Sequence, residues 1–153
     1  MPSTACLDRP PMLPSLSSSF VLRVLLVEDE PDTAMSLAIL LRHWGHEVKV
    51  VLDGRRALEA ADAFRPDVAL LDLALPGMNG YEVAGRLRQA LRGVRCIAMS
   101  GYSKEEGERR HPGGSALFDV HLLKPADPDQ LREILAEAAA LASTLPPGGH
   151  GLR

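Results

Sequence analysis

The chain has 153 residues, which suits one folded domain and leaves little room for a second. Hydrophobic residues make up 46% of it, enough for a buried core, but only 4% are aromatic, so aliphatic side chains must fill that core. The formal net charge of -3, with no block of basic residues, argues against direct binding to nucleic acid, and two cysteines are too few for a disulfide framework.

The two ends of the chain differ in composition from its middle. Residues 1–20 are rich in serine and proline without periodicity, which predicts a disordered N-terminal extension. Residues 144–153 contain two prolines and three glycines, which predicts a flexible C-terminal tail. The early prolines argue against a secretory signal, and no apolar run approaches the roughly 18 residues of a membrane span. We therefore expect one domain over residues 21–143, in the reducing cytoplasm and without membrane insertion.

Short apolar runs alternate with segments of helical periodicity along this domain. The five runs, each predicted to form a strand, cover residues 21–27, 47–52, 67–71, 94–99 and 118–123. Several are nearly continuous in Val, Leu and Ile, which is typical of strands buried on both faces. This alternation predicts an α/β fold of the flavodoxin-like type, a doubly wound, five-stranded parallel sheet with strand order 2-1-3-4-5.

Start and stop signals delimit most of the predicted helices. The first ends at Gly45, the second has Asp53 as its N-cap, the third covers residues 81–91, and the last begins at Pro128 after Asp127 as N-cap.

The fourth helix is the exception. Residues 104–110 can begin a helix, but Pro112, Gly113 and Gly114 should stop it. We predict a short or frayed fourth helix followed by a loop.

Polar side chains stand at the ends of the apolar runs. Glu28 and Asp29 follow the first run, Asp72 the third, Ser100 the fourth and Lys124 the fifth. The carboxyl ends of parallel strands share one edge of a sheet, so the three carboxylates should converge there. Crowded carboxylates repel one another at neutral pH, and a hard cation such as Mg²⁺ removes that conflict. One carboxylate could also attack phosphorus, with an ammonium and a hydroxyl group stabilising the phosphoryl oxygens.

Four motifs at these positions resemble the receiver family of response regulators. They read Val-Glu-Asp-Glu, Leu-Asp-Leu-Ala-Leu-Pro-Gly-Met-Asn-Gly-Tyr, Ser-Gly-Tyr and Leu-Lys-Pro, and the similarity covers residues 22–143. The resemblance implies that Asp72 accepts phosphate from a phospho-histidine of a histidine kinase or a histidine phosphotransfer protein. It also implies that Ser100 and Lys124 contact the phosphoryl group, and that the Lys124–Pro125 peptide is cis.

A metal site is implied by the same resemblance. The position of Asp29 binds Mg²⁺ directly in the family, and that of Glu28 binds it through water. Asp72 and the backbone carbonyl of Ala74 are the further ligands. The cofactor expected for this chain is therefore Mg²⁺, and the domain promotes only its own phosphorylation and dephosphorylation rather than acting as a conventional enzyme.

The chain departs from the family where receivers usually transmit their signal. Many receivers carry an aromatic residue three positions before the lysine, and this chain has His121 there. Tyr102, two residues after Ser100, is a second candidate for the switch. On this hypothesis, Tyr102→Ala leaves phosphorylation intact but weakens the binding of the downstream protein, whose identity the sequence does not reveal.

Each site residue also has a simpler interpretation when taken alone. Glu28 and Asp29 could cap the first helix, and Asp72 could serve only as a turn residue. Lys124 could be a solvated surface lysine, and Ser100 an ordinary turn serine. These readings predict no convergence of the five side chains.

Three other functions remain open from the sequence. The chain could be a pseudo-receiver that binds proteins without accepting phosphate, or the detached terminal receiver of a hybrid kinase. It could also be a metal-dependent phosphatase with an aspartyl nucleophile, although Ala74 stands where such enzymes need a general acid. The main hypothesis is a receiver that signals through protein contacts or acts as a phosphate sink.

Overall fold

The computed structural model describes residues 20–143, so the predicted C-terminal tail and nearly all of the predicted N-terminal extension lie outside the described residues. Within this range five parallel strands form one sheet in the order β2-β1-β3-β4-β5. The strands are β1 (Arg23–Val27), β2 (Glu47–Val51), β3 (Val68–Asp72), β4 (Arg95–Ser100) and β5 (Val120–Leu123). The predicted flavodoxin-like sheet is confirmed.

Helices connect all successive strands and follow the last one. They are α1 (Pro31–His43), α2 (Gly54–Phe64), α3 (Gly80–Ala90), α4 (Lys104–Arg110) and α5 (Pro128–Ser143), with a 3₁₀ helix at Gly114–Leu117. No helix in the described part of the chain is long and apolar enough to cross a membrane.

The sheet separates two apolar cores. On one face, α1 and α5 pack against alternate strand residues, as Leu41 and Leu135 do against Leu26 and Leu70. On the other face, α2 and α3 cover the remaining strand residues. All five residues of β3 are buried, which explains why its sequence is a continuous apolar run up to Asp72.

The helix starts follow the expected capping chemistry, with one informative difference. Asp53 accepts a hydrogen bond from the Arg56 amide at 2.8 Å, as predicted. At α1, however, the cap is Glu30, whose carboxylate accepts from the Thr33 amide at 2.9 Å. Neither Glu28 nor Asp29 is therefore the N-cap of this helix.

The fourth helix has only seven residues, which confirms that it is short. A turn at residues 111–113 follows it, as expected, and the chain then forms the 3₁₀ helix, which the sequence did not predict. Gly113 has a φ of 83°, which lets the chain reverse between the two helices. The Glu108 carboxylate accepts hydrogen bonds from the amides of Gly113 and Ser115 and from the Ser115 hydroxyl, so it joins α4 to the 3₁₀ helix.

Candidate functional site

Three carboxylates converge at the carboxyl edge of the sheet. Glu28 and Asp29 follow β1, and Asp72 is the last residue of the neighbouring strand β3. One carboxylate oxygen from each lies within 4.8 Å of the others. The adjacency of β1 and β3 produces this arrangement, since it brings together residues more than 40 positions apart in the sequence.

Glu28 is a buried carboxylate, with only 1% of its surface exposed. Its Oε2 accepts a hydrogen bond from the Glu30 amide at 3.2 Å. Burial raises the pKa of Glu28 above its usual value, because desolvation disfavours the charged form, and the nearby Asp72 charge acts in the same direction. Asp29, by contrast, is exposed to solvent.

Lys124 supplies the positive charge of the site. Its Nζ lies 2.9 Å from Glu28 Oε1 and 3.1 Å from Asp72 Oδ2. Burial acts to lower the pKa of Lys124, but its contacts with Glu28 and Asp72 outweigh burial and raise that pKa. The lysine is therefore charged at neutral pH, and it is not a freely solvated surface residue. The Lys124–Pro125 peptide is cis, as the family resemblance implied.

Asp72 is held from two sides. Its Oδ2 accepts from Lys124, and its Oδ1 accepts from the Ala74 amide at 2.9 Å. The second contact is the local turn bond that the simpler interpretation of Asp72 anticipated. The carboxylate nevertheless also takes part in the charged cluster, so the turn role does not account for it alone.

Ser100 ends β4 beside this cluster. Its hydroxyl donates to the Tyr102 carbonyl at 2.5 Å and accepts from the Tyr102 amide at 3.3 Å. The Lys124 amide donates to the Ser100 carbonyl at 2.7 Å, which ties the ends of β4 and β5 together.

The two switch candidates lie on the sheet face that α3 covers. Tyr102 is half-buried, and the Arg110 guanidinium stands 4.6 Å from its ring centre. His121 is also half-buried, with its ring edge-to-face against Phe118 at 5.5 Å. The buried Nε2 of His121 has no hydrogen-bond partner among the described residues, and burial lowers the pKa of this histidine.

Gly80 belongs to the site, although the sequence pattern did not identify it. It is the first residue of α3 and lies against the backbone of Asp72. A Cβ at this position would approach the Asp72 carbonyl oxygen to 2.6 Å. The Asn-Gly pair at the start of the third helix was the available signal, but only the folded backbone shows which atoms Gly80 approaches.

The donor set fits a hard divalent cation. Glu28, Asp29 and Asp72 offer only carboxylate oxygens, which Mg²⁺ prefers. Glu28 Oε1 is buried, and the Lys124 ammonium lies 2.9 Å from it. The exposed Asp29 leaves this cluster open to solvent on one side.

A family model described as the response regulator receiver domain matches residues 24–136, which include every residue of this cluster. The chain belongs to the response regulator receiver domain family. Receiver domains are signalling modules of two-component systems rather than conventional enzymes.

Known proteins resemble this receiver domain in both sequence and structure. The DNA-binding response regulator MtrA of Mycolicibacterium smegmatis is 38% identical over 109 residues, covering 71% of this chain and 46% of MtrA. An uncharacterized 14.6 kDa protein of Leptolyngbya boryana is 32% identical over 116 residues, covering 74% of this chain and 87% of that protein. The chain thus spans about half the length of the curated response regulators it matches first.

A solved structure shows the same fold. The crystal structure of response regulator TrrA from Thermotoga maritima, in complex with Mg²⁺-BeF, has a TM-score of 0.69 and 29% identity to this chain. The alignment covers 77% of this chain and 99% of TrrA.

Proposed function

We propose that this receiver domain accepts a phosphoryl group on Asp72 in a Mg²⁺-dependent reaction. The observation that carries the proposal is the cluster of Glu28, Asp29 and Asp72 with Lys124 across from them. Buried charges are costly unless they are paired, and ionisable groups with perturbed pKa values cluster at functional sites.

Three side chains are assigned to the metal. Asp29 and Asp72 hold Mg²⁺ on this proposal, Glu28 holds it through water, and the Ala74 carbonyl is a further ligand. When bound, Mg²⁺ neutralises negative charge on the phosphoryl oxygens and on the carboxylates around them. The complex of TrrA with Mg²⁺-BeF supports Mg²⁺ as the ion, because TrrA has the same fold and is 29% identical to this chain.

Asp72 acts as the nucleophile in the proposed transfer. A carboxylate oxygen forms a bond to phosphorus as the bond between phosphorus and the donor histidine nitrogen breaks, and the imidazole leaves with its electron pair. Lys124 already contacts Asp72 Oδ2, so its ammonium is in place to stabilise charge on the transferred group.

The Ser100 hydroxyl must change its hydrogen-bond partner before it can contact the phosphoryl group. Its hydroxyl hydrogen points at the Tyr102 carbonyl in this structure. Rotation about its side-chain bond redirects the hydroxyl to a phosphoryl oxygen and releases the Tyr102 carbonyl. Tyr102, whose backbone bonds the Ser100 hydroxyl, and His121 remain the proposed switch residues.

The donor on this proposal is a histidine kinase or a histidine phosphotransfer protein in the cytoplasm. The phosphorylated domain then alters its contacts with a downstream protein or acts as a phosphate sink. It also promotes loss of its own phosphoryl group. MtrA is a DNA-binding regulator, but the match to MtrA covers only 46% of that protein, so we assign no nucleic-acid contact to the domain described here.

Incubation with acetyl phosphate and Mg²⁺, followed by intact mass measurement, tests the proposal. We expect one phosphoryl adduct in the unmodified chain and none in Asp72→Asn or in EDTA. Asp67→Asn is a control that changes a carboxylate at the opposite end of β3. A chain that stays unmodified under these conditions would support the pseudo-receiver instead.

A further inference from the structure

Glu30 is the last acid of the Val-Glu-Asp-Glu motif, and the proposed metal site does not use it. It is the N-cap of α1, with an extended backbone at a φ of -91° and a ψ of 111°. Its exposed carboxylate accepts two hydrogen bonds from Thr33, one from the amide at 2.9 Å and one from the hydroxyl at 3.2 Å. The side chain of Glu30 is therefore bonded to the first turn of the helix.

The backbone of Glu30 is fixed by the same helix start. Its carbonyl accepts a hydrogen bond from the Ala34 amide at 2.9 Å, as the carbonyl of an N-cap residue does. Pro31, the first residue of α1, holds the next position at the φ of a proline ring. The side chain and the carbonyl together set the orientation of Glu30, and with it the direction of its amide.

The amide of Glu30 points at the Glu28 carboxylate. It donates to Glu28 Oε2 at 3.2 Å, while the other oxygen, Oε1, lies 2.9 Å from Lys124 Nζ. The backbone of Glu28 is fixed as well, because its amide donates to the Val51 carbonyl at 3.2 Å. The orientation of this buried carboxylate thus depends on Lys124 at one oxygen and on the turn closed by Glu30 at the other.

From these contacts we propose that Glu30 is a positioning residue for the metal site: by capping α1 it directs its amide at Glu28, and so holds that carboxylate where it contributes to Mg²⁺ binding. The inference rests on the Mg²⁺ site proposed above. One Glu28 oxygen lies within 4.8 Å of oxygens of Asp29 and Asp72, so its orientation decides whether the three acids can share an ion. Hydrogen-bond partners of this kind orient metal-binding groups and raise the affinity for the metal.

The negative charge of Glu30 has a separate effect, because it attracts a cation whatever its hydrogen bonds do. Glu30→Ala removes the charge and the cap together. Glu30→Ser removes the charge too, but a serine hydroxyl is among the best caps of a helix start. The difference between these two variants therefore measures the cap alone.

Two measurements on the full chain test the positioning role. Hydrogen exchange followed by NMR gives the protection of the residue 30 amide in metal-free protein, and calorimetric titration with MgCl₂ gives the Mg²⁺ affinity without phosphorylation. Relative to Glu30→Ser, we expect Glu30→Ala to show lower protection of this amide. We also expect it to bind Mg²⁺ about fivefold more weakly, less than the roughly 10–100-fold effect of losing such a partner, because the amide itself stays in the chain.

Two further variants separate positioning from a loss of helix stability. Glu30→Gly also lacks the acceptor, yet glycine at an N-cap costs much less stability than alanine. It should resemble Glu30→Ala in both measurements. Asp53→Ala is the matched control, because it removes a carboxylate and a cap from α2, where Asp53 accepts from the Arg56 amide at 2.8 Å. It should bind Mg²⁺ as tightly as the unmodified chain.

Equal Mg²⁺ affinities in Glu30→Ala and Glu30→Ser would overturn the positioning role and leave the metal site in place. Weaker Mg²⁺ binding in Glu30→Ala with full protection of the residue 30 amide would overturn it too, because the effect would not pass through the bond to Glu28. So would an equal loss of Mg²⁺ affinity in Asp53→Ala. An unmodified chain that binds no Mg²⁺ would overturn the proposed metal site together with this inference.

Discussion

Lys124 contacts both buried carboxylates of the site, so its charge is tied to the stability of the domain as well as to its chemistry. It comes from the end of β5 and reaches Asp72 on β3 and Glu28 after β1. Without it, two carboxylates with little exposure would face each other with no cation. Removal of one partner from a buried ion pair is strongly destabilising, because it leaves uncompensated charge.

We predict that Lys124→Met lowers the free energy of unfolding in EDTA by about 2 kcal/mol, less than for a fully buried pair because water reaches the lysine. Added Mg²⁺ should reduce this loss of unfolding free energy, because the ion supplies positive charge to the carboxylates. Urea denaturation measures both effects. Lys49→Met, at an exposed position of β2, should change stability by no more than about 0.5 kcal/mol. Equal stabilities for the two variants would contradict the assigned role.

His46 makes the stability of the domain depend on pH. Its Nδ1 accepts a hydrogen bond from the Leu22 amide at 3.2 Å, which only the neutral ring can do. Burial lowers the pKa of His46 below the usual value of 6.5, so the unfolded chain binds the proton more tightly than the folded one. Its contribution to stability is therefore present above this pH and is lost as the pH falls.

We predict that the free energy of unfolding decreases less steeply in His46→Gln than in the unmodified chain between about pH 7.5 and 5. Urea titrations across this range give the slope. His43→Gln, which removes an exposed histidine from the end of α1, controls for the loss of a titratable ring. A slope that is unchanged in His46→Gln, or reduced equally in His43→Gln, would contradict this account.

At the scale of strands and helices, the sequence predicted the features that depend on residues close together in the chain. All five strands were predictable because each is a short apolar run, and Asp53 and Asp127 marked helix starts by local chemistry. Contacts between distant segments were not predictable. The 3₁₀ helix begins at Gly114 against the ring of Tyr81, which stands more than 30 positions before it, and no local pattern records that contact.

The packing of α2 against the start of α3 gives a prediction at this scale. A Cβ on Gly54 would lie 2.7 Å from Val83 Cγ2 and 3.0 Å from the Met78 carbonyl oxygen. We expect Gly54→Ala to reduce the free energy of unfolding by about 1–3 kcal/mol, as overpacking does. Gly85→Ala, with no atom within 4 Å of the new Cβ, should instead increase it by about 0.5–1 kcal/mol. Urea denaturation of the two variants decides whether α2 and α3 pack this closely.

At the scale of the whole molecule, the site exists only when the sheet is complete. Its side chains stand at or just after the ends of β1, β3, β4 and β5, so these four strands must pair before the carboxylates, Ser100 and Lys124 meet. The sequence anticipated this convergence because a parallel sheet collects the ends of its strands at one edge. It did not anticipate which atoms touch, such as the approach of Gly80 to the Asp72 carbonyl.

The proposed attachment of the phosphoryl group to Asp72 can be tested at the level of the single residue. Borohydride reduces an acyl phosphate of aspartate to homoserine, which peptide mass spectrometry locates. After treatment with acetyl phosphate and Mg²⁺, we predict homoserine at position 72 and unmodified carboxyl groups at Glu28 and Asp29. Reduction at either of these two residues, or none at Asp72 in a chain that carries the adduct, would contradict the account.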